Sequence, residues 1–433
     1  MINNIKSVFT SIIGRLENSK NMWIVFTSLL CMAIPALILT VEKSVSYCFF
    51  LLLFISVFTI QNSQATDFSK TLNDYRWFTI SLVFWPCLFL TQMLVMKMWD
   101  GKGFDMALRV AGSLSIFILL SHTPSVSLKR VGWGATIGCF GALAYAIFAV
   151  FISQNSDFGN RANSLTFNPI PFGNIALLLG FLSIASQKWE EGLSKFSAAL
   201  KILSFFAALY TSFLSGTRGG WIAIPVLTLL LINLFKHKKI LKKQTICIFF
   251  GFCTFITILS GPIVYERSFN LWGDIQQYRA GEMNTSSGQR LQMWKSAISM
   301  YKENPVLGLG KGQFKNEIKE HFKQGMVSQE IVAYNHAHND IFHHLGELGS
   351  FGFIALLLLY FGPSLYFLKS VGHKDNTLKT AAHMGLIVTS GYFIFGLTNA
   401  MLDEVRLIGF YMIMITIFLG IIASRQREIK IND

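Results

Sequence analysis

Long apolar runs separated by short polar stretches dominate this chain. The run from Val405 to Ser424 contains one charged residue, Arg406, in 20 positions. A helix needs about 20 predominantly apolar residues to cross the hydrocarbon core of a bilayer. Of the 433 residues, 52% are hydrophobic and 14% are charged, whereas soluble domains carry about 25% charged residues. The pattern predicts an all-α, polytopic membrane protein.

Twelve segments have this character, and an even number places both termini on one side of the membrane. The predicted transmembrane helices are 22–41, 45–60, 77–97, 106–122, 131–153, 171–187, 197–215, 220–235, 245–264, 341–369, 380–400 and 405–424. One large loop, 265–340, separates the ninth span from the tenth. The predicted organisation is therefore 1–264 with nine spans, the loop 265–340, and 341–433 with three spans and a tail.

Lysine and arginine set the orientation, because loops that stay in the cytoplasm carry an excess of both. The termini and the loops on their side contain about 20 basic residues, and the short loops opposite contain six: Lys43, Lys97, Lys102, Arg161, Arg218 and Arg406. We therefore predict cytoplasmic termini and an external large loop. The net charge of +14 is explained by this distribution, and we predict no nucleic-acid partner.

The large loop predicts two amphipathic helices that lie on the outer leaflet. In "GQRLQMWKSAISMYKENP" (288–305), Leu291, Trp294, Ile298 and Tyr301 recur at helical spacing, and Pro305 is a stop signal. The glycine-rich turn "GLGKGQF" follows, and "FKNEIKEHFKQG" (314–325) reads as the second helix.

Arginines in two outer stretches are candidates for anion binding. In "LSGTRGGWIA" (214–223), Arg218 stands at a junction of spans beside Gly219 and Gly220, whose backbone N–H groups can approach an anion closely. In "SSGQRLQMW" (286–294), Arg290 begins the first loop helix, and its guanidinium matches phosphate oxygens in a bidentate way. The alternatives are an ordinary loop arginine at 218 and a solvated one at 290.

Histidines crowd the start of the tenth span, in "AYNHAHNDIFHHLGELG". With Asn339 or Asp340 as N-cap, His336 and His338 lie just before the helix, where a histidine can accept a proton from a hydroxyl near neutral pH. His343, His344 and Glu347 lie in its first turns. Their spacing also permits a metal site, whereas capping or packing is the simpler role for any single ring.

Arginines and histidines on one outer face suit a substrate with a diphosphate at the membrane surface and a long hydrocarbon tail. The arginines would hold the diphosphate, and a histidine would activate an acceptor alcohol. The residues alone thus predict glycosyl transfer from a lipid diphosphate.

Three motifs, taken together, resemble the O-antigen ligase and polymerase superfamily. They are "SGTRGGWIAI", "GQRLQMWKSAISMYKENPVLGLGKGQF" and "AHNDIFHHLGELGSFGFIALLL", in that order. In that family an arginine follows a span, a large periplasmic loop has an "R-L…W…P-x-x-G-x-G" stretch, and "H-N" opens the next span with "E-x-G-x-x-G" behind. The motifs cover about 60 residues directly.

The resemblance implies a membrane-embedded, GT-C-like glycosyltransferase that uses neither metal nor cofactor and inverts the anomeric carbon. It would transfer O-antigen from undecaprenyl diphosphate to the lipid A–core oligosaccharide, at the periplasmic face of a Gram-negative inner membrane and in contact with its lipids. By motif match, Arg218 and Arg290 correspond to the diphosphate-binding arginines and His338 to the essential histidine. His336, Asn339, Gly219 and Gly220 are further candidates for substrate binding.

Other functions share some of these features. The superfamily also holds O-antigen polymerases and protein O-oligosaccharyltransferases, but a single large loop between the ninth and tenth of twelve spans favours a ligase. A lipid-linked oligosaccharide flippase would also need basic residues near a lipid diphosphate. A transporter should carry charges deep in several helices, and these apolar runs are nearly free of charge.

Overall fold

The computed structural model describes residues 22–61, 65–153, 161–164, 167–190, 192, 194–236, 273, 276–277, 283 and 285–432. Within these ranges the chain is predominantly helical and no strand occurs. The predicted class, an all-α polytopic membrane protein, is confirmed. The predicted ninth span, 245–264, lies outside the described residues.

Helices follow one another with short connections. In chain order they are α1 (Met22–Leu37), α2 (Ser44–Gln61), α3 (Ala65–Asp74), α4 (Arg76–Met96), α5 (Gly101–His122), α6 (Ser125–Leu128), α7 (Val131–Ile147), α8 (Pro169–Ser186), α9 (Lys195–Leu214), α10 (Arg218–Trp221), α11 (Ala223–Phe235), α12 (Ser286–Glu303), α13 (Phe314–Lys323), α14 (Asp340–Ser370), α15 (Asn376–Gly396) and α16 (Val405–Asn432). A π-helical turn, Phe148–Ile152, extends α7, and 3-10 turns occur at Gln187–Trp189 and Gln329–Ala333.

Among the described residues, eight helices are long and apolar enough to span a membrane. They are Arg76–Met96, Gly101–His122, Ser125–Ile152, Pro169–Trp189, Lys195–Leu214, Arg218–Phe235, Asp340–Ser370 and Val405–Ile431. The predicted spans 22–41, 45–60 and 380–400 coincide with α1, α2 and α15. The short helix α3 fills what the sequence predicts as a loop, and its Phe68 ring packs edge-on against His122.

The last helix, α16, is the centre of the bundle. Its apolar window is fully buried, and it packs mainly against α5 and α15. Helix α8 is almost as buried, whereas only Ala223, Leu227 and Leu234 of α11 are buried in the described bundle. The central position of α16 brings the turn that precedes it, residues 397–404, beneath the large loop.

The connections sort into two ends, as the count of basic residues predicts. At one end, Tyr75 Oη donates to Gln426 at 3.1 Å, Ser125 Oγ donates to Glu428 at 2.8 Å, and Arg425 binds Asp375 at 2.9 Å. These residues all belong to the loops and tail predicted to share one side. The large loop, Arg218 and Lys102 lie at the other end.

A break inside α14 docks the large loop onto the bundle. Gly349 has φ 64° and ψ −157°, a conformation open essentially to glycine. At this break, Ser350 N–H donates to Pro305 O at 2.8 Å, and Gly310 N–H donates to Glu347 O at 3.0 Å. Hydrogen bonds between the backbones therefore join the glycine-rich turn after α12 to the "E-x-G-x-x-G" stretch.

The loop helices exist as predicted, and α12 packs against α14 with a face other than its stripe of large apolar residues. The face that packs against α14 consists of Met293, Ala297 and Met300, which are at most 1% exposed. Ile298, which the sequence places on the apolar face, is 39% exposed. Contact of the stripe that contains Ile298 with the outer leaflet stays a prediction.

Candidate active site

A cavity of about 700 Å³ opens between the large loop and the ends of the spanning helices. We call it the arginine cavity, since three arginines line it. Its lining residues are Arg161, Asn168, Pro169, Ile170, Gly216, Thr217, Arg218, Gly219, Gly273, Gln277, Ser286, Gln289, Arg290, Met293, Tyr334, His338 and Thr398. The three predicted catalytic residues, Arg218, Arg290 and His338, therefore surround one space although up to 120 positions separate them in sequence.

Arg218 is held in place by a tightly bonded turn between α9 and α10. Ser215 Oγ and Thr217 Oγ1 lie 2.7 Å apart, and Thr217 Oγ1 donates to Pro169 O at 3.0 Å. Arg161 Nε donates to Ser215 O at 2.8 Å. A second arginine thus braces the turn that carries Arg218 and reaches the same cavity.

The two glycines after Arg218 serve packing more than anion binding. A Cβ on Gly219 would collide with Thr398, and one on Gly220 would collide with Asn174. Gly219 lines the cavity, but Gly220 does not. The Gly220 N–H donates to Thr217 O at 3.1 Å, so the anion contact that the sequence predicts for Gly220 is replaced by a contact within the turn.

Arg290 lies one turn inside α12 and lines the same cavity. Thr285 caps the helix by accepting from Gly288 N–H at 3.0 Å. The neighbouring Gln289 accepts from Tyr334 Oη at 3.2 Å. This contact ties the start of α12 to the segment that leads into His338.

His338 has φ +48°, a left-handed conformation that is uncommon for residues other than glycine. Its Nδ1 lies 3.1 Å from Asn399 Oδ1. An amide oxygen only accepts, so Nδ1 carries the proton and donates, and Nε2 keeps its lone pair. The ring also packs edge-on against Tyr334, with 5.2 Å between centroids.

The surroundings of His338 keep it neutral. Burial, with help from His336 and the positive charge of Arg290, holds the pKa of His338 well below its usual range. For His336, burial lowers the pKa to about 4. Both rings are therefore unprotonated at pH 7, the state in which an imidazole accepts a proton.

Besides Gly220, two predicted substrate-binding residues do not line the cavity. Asn339 is the N-cap of α14, as the sequence predicts, and its Oδ1 accepts from Ile341 N–H at 2.9 Å and Phe342 N–H at 3.2 Å. His336 lies behind His338: its Nδ1 accepts from His338 N–H at 3.2 Å. The geometry assigns both residues to support of the loop.

The two histidines inside α14, His343 and His344, make different contacts. His344 Nδ1 lies 2.8 Å from Asp340 O, and His344 is not part of the group formed by His343 and Glu347. His343 Nε2 lies 3.3 Å from Glu347 and 3.0 Å from Asp403. His343, Glu347 and Asp403 form a buried group whose donor atoms lie close enough together to hold a metal ion, so the His343–Glu347 alternative has a geometric basis.

A lysine ammonium already lies among those three side chains. Lys311 Nζ donates to Glu347 at 2.7 Å and to Asp403, and lies 3.3 Å from His343 Nε2. Burial opposes the charge on Lys311, but Asp403 and Glu347 outweigh it and raise the lysine pKa. We call these four residues the lysine cluster.

One comparison finds a family that part of the chain resembles. Residues 203–357 match the model of a family described as O-antigen ligase. This segment of the chain therefore resembles the O-antigen ligase family. The matched segment begins in α9 and ends in α14, so it contains Arg218, Arg290 and His338.

Two curated relatives extend the similarity beyond that segment. An uncharacterised protein of Haemophilus influenzae is 26% identical over 324 residues, which are 73% of this chain and 78% of that protein. A ComP-specific O-oligosaccharyltransferase of Acinetobacter baylyi is 20% identical over 334 residues, 72% of this chain. The match spans 57% of the latter protein.

Several residues that reach this site are not singled out by the sequence alone. Arg161 counts there only as a loop charge, and Asn399 and Asp403 stand in an unremarkable connection between spans. Lys311 is visible as a lysine in a glycine-rich turn, which is a weak signal. These residues reach the site through folding of distant segments, and no local periodicity marks them.

Proposed function

We propose that this protein is an O-antigen ligase. It transfers O-antigen polysaccharide from undecaprenyl diphosphate to the lipid A–core oligosaccharide and so completes lipopolysaccharide. The observation that carries the proposal is the arrangement of Arg218, Arg290 and His338 around one cavity. The family match supports a glycosyl-transferring ligase, and the finer substrate assignment is ours.

The arginines are placed to hold the donor diphosphate. Arg218 and Arg290 approach the cavity from the spanning bundle and the large loop respectively, and Arg161 adds a third positive charge. Guanidinium groups bind phosphate oxygens bidentately and stay charged at all physiological pH values. The arginines are therefore already in position to stabilise the negative charge that grows on the departing diphosphate in the transition state.

His338 is the proposed general base. Its Nε2 takes the proton of an acceptor hydroxyl while that oxygen forms a bond to the anomeric carbon. The bond from this carbon to the diphosphate oxygen breaks in the same step, and undecaprenyl diphosphate leaves. A single displacement of this kind inverts the anomeric centre. During this step Asn399 Oδ1 accepts the hydrogen bond from Nδ1–H of His338.

We propose that transfer needs neither a divalent metal nor another cofactor, because arginines supply the positive charge beside the diphosphate. The catalysed rate of purified enzyme should be unchanged by EDTA. A loss of rate with EDTA that added Mn²⁺ or Mg²⁺ reverses would contradict this proposal. It would instead favour His343, Glu347 and Asp403 as metal ligands.

The proposed location is the inner membrane of a Gram-negative bacterium, with the arginine cavity on the periplasmic face and both termini in the cytoplasm. The apolar helices provide the membrane anchor. The distribution of basic residues supports the orientation. Membrane lipids surround the described bundle, whose outward-facing side chains include many large apolar residues.

Protein O-glycosylation is the second candidate. The similarity to the ComP-specific O-oligosaccharyltransferase favours it, since the donor chemistry would be the same and only the acceptor would change. In that case a protein hydroxyl, rather than a core sugar, would approach His338.

Expression in a ligase-deficient strain separates the two. We expect a ladder of O-antigen attached to lipid A–core on gels of lipopolysaccharide, and no ladder with His338→Ala at equal protein level. A strain without a ladder, in which co-expressed ComP becomes glycosylated, would instead establish the second candidate.

A further inference from the structure

The lysine cluster lies behind the wall of the arginine cavity, and the proposed transfer step does not use it. Its members, Lys311, His343, Glu347 and Asp403, are at most 5% exposed. Lys102, whose side chain is 42% exposed, contacts the other Asp403 oxygen at 3.0 Å. Two carboxylates thus face two ammonium groups and one imidazole.

A buried pair of carboxylates with a histidine is an arrangement that binds divalent cations. Here the three donor atoms lie within 4.8 Å of one another. Lys311 Nζ contacts all three of these side chains. A metal ion and this ammonium cannot occupy the same position, and burial of two carboxylates without a cation would be strongly unfavourable.

The cluster connects four parts of the fold. Lys311 comes from the large loop, Glu347 from α14 and Asp403 from the turn before α16. Glu347 Oε1 accepts from Gly312 N–H at 3.0 Å and from Phe314 N–H at 3.1 Å. The Lys311 N–H donates to Gln92 Oε1, on α4, at 3.0 Å.

The cluster also reaches the proposed base through two rings. The His343 and His336 ring centroids are 6.5 Å apart, and those of His336 and His338 are 4.3 Å apart. His338 N–H donates to His336 Nδ1. Displacement of His343 therefore removes the support on which His336, and then His338, rests.

We propose that Lys311 is a built-in cation that replaces a divalent metal and positions the segment carrying His338. It is a positioning residue, because it acts through His343 and His336 and does not line the arginine cavity. Its effect on transfer rests on the proposed function, whereas its occupation of a cation site does not.

The first test measures zinc binding by purified, metal-free protein in detergent, with Zn²⁺ alone as the probe. Lys311→Ala removes the ammonium and leaves His343, Glu347 and Asp403, so we expect one additional bound zinc relative to wild type. The double variant Lys311→Ala/Glu347→Gln should lose that zinc. Lys102→Ala is the matched control: it removes a cation from the same aspartate but leaves Lys311 in place, and no zinc should be gained.

The second test measures transfer kinetics. Lys311→Met keeps the volume of the stem and removes the charge. We expect kcat to fall about 10–100-fold, as for loss of a residue that orients a ligand or base, with little change in KM for the lipid-linked donor. Zinc should partly restore kcat to Lys311→Ala but not to Lys311→Met, whose side chain fills the site.

Each outcome of these tests either supports or overturns a stated part of the proposal. Equal zinc binding by wild type and Lys311→Ala, or extra zinc that survives Glu347→Gln, overturns the built-in cation. A normal kcat in both Lys311 variants overturns the positioning role even if zinc binds. If Lys311→Ala does not fold, zinc should restore its folding, because metal binding couples to folding; failure of that rescue also overturns the proposal. Absence of transfer by wild type would refute the proposed function while the zinc result still stands.

Discussion

His338 combines a strained backbone with a precise hydrogen bond. A left-handed conformation at a residue other than glycine costs about 1–3 kcal/mol and persists only where the surroundings enforce it. Here the N-cap at Asn339 fixes the next residue, and Asn399 fixes the ring. The strain coincides with the residue that the motif resemblance singles out as essential.

The pH dependence of transfer should report the lowered pKa of His338. An ordinary histidine becomes protonated, and useless as a base, below pH of about 6.5. Burial, His336 and Arg290 lower the His338 pKa, so we expect kcat to stay level as the pH falls from 8 through about 6.5, where an ordinary histidine is half protonated. His338→Ala should cost about 10²–10⁴-fold in kcat. Steady-state rates of purified enzyme across this pH range give the measurement.

Asn399→Asp is the variant that tests this pH profile. It places a carboxylate beside the Nδ1 proton, 3.1 Å away in the wild type, and a nearby negative charge raises a histidine pKa. The acid side of the pH profile should move to higher pH while transfer above it persists. A wild-type profile that already declines at pH 6.5, or one that Asn399→Asp leaves unshifted, would speak against His338 as the base.

Replacement of the cavity arginines by lysine should abolish the lipopolysaccharide ladder. Lysine keeps the charge of Arg218 or Arg290 but lacks the planar fork that binds two phosphate oxygens at once. Arg406→Lys is the control, because Arg406 contacts Glu404 at 2.9 Å and the Phe167 ring, outside the cavity. Normal ladders from Arg218→Lys and Arg290→Lys, at equal protein level, would leave both arginines without a role in diphosphate binding.

At the scale of elements, the sequence predicts the helices well and their contacts poorly. The stop at Pro305, the N-cap at Asn339 and the start of α13 follow local rules, and the structure places them there. The pairing of residues 305–310 with 346–351 follows no local rule. It brings together two motifs about 40 positions apart, and the resulting lysine cluster exists only once both are docked.

The break at Gly349 is the element on which this docking depends. A Cβ there would lie 2.5 Å from the Val306 carbonyl carbon and would require φ +64° of a residue that avoids it. We expect Gly349→Ala to lower the free energy of unfolding by about 1–3 kcal/mol and to weaken ligation. Thermal unfolding in detergent and the gel ladder measure the two effects.

Gly372→Ala is the control for that substitution. Gly372 lies in the turn between α14 and α15, and a Cβ there meets nothing within 4 Å. Its unfolding temperature and ladder should match wild type. Equal behaviour of the two alanine variants would show that the break in α14 does not hold the loop in place.

The whole molecule has two chemically different ends. The end with Asp375, Arg425 and Glu428 is tied by surface ion pairs, whereas the other end gathers the cavity and the lysine cluster. The count of lysine and arginine predicts which loops share an end, because orientation is decided loop by loop during insertion. It cannot predict the depth of the cavity or the bracing of Arg161, which arise from packing of the complete bundle.

The two ends should differ in access from outside the cell. Lys323 lies on α13 with its side chain 68% exposed, and Lys374 is exposed in the turn at the opposite end. In a background with the native cysteines replaced by serine, Lys323→Cys should react with a membrane-impermeant maleimide in cells with a permeabilised outer membrane. Lys374→Cys should react only after the inner membrane is opened. Since lipid-linked O-antigen is joined to lipid A–core outside the cytoplasm in the proposed reaction, the reverse labelling pattern would place the arginine cavity on the wrong side for ligation.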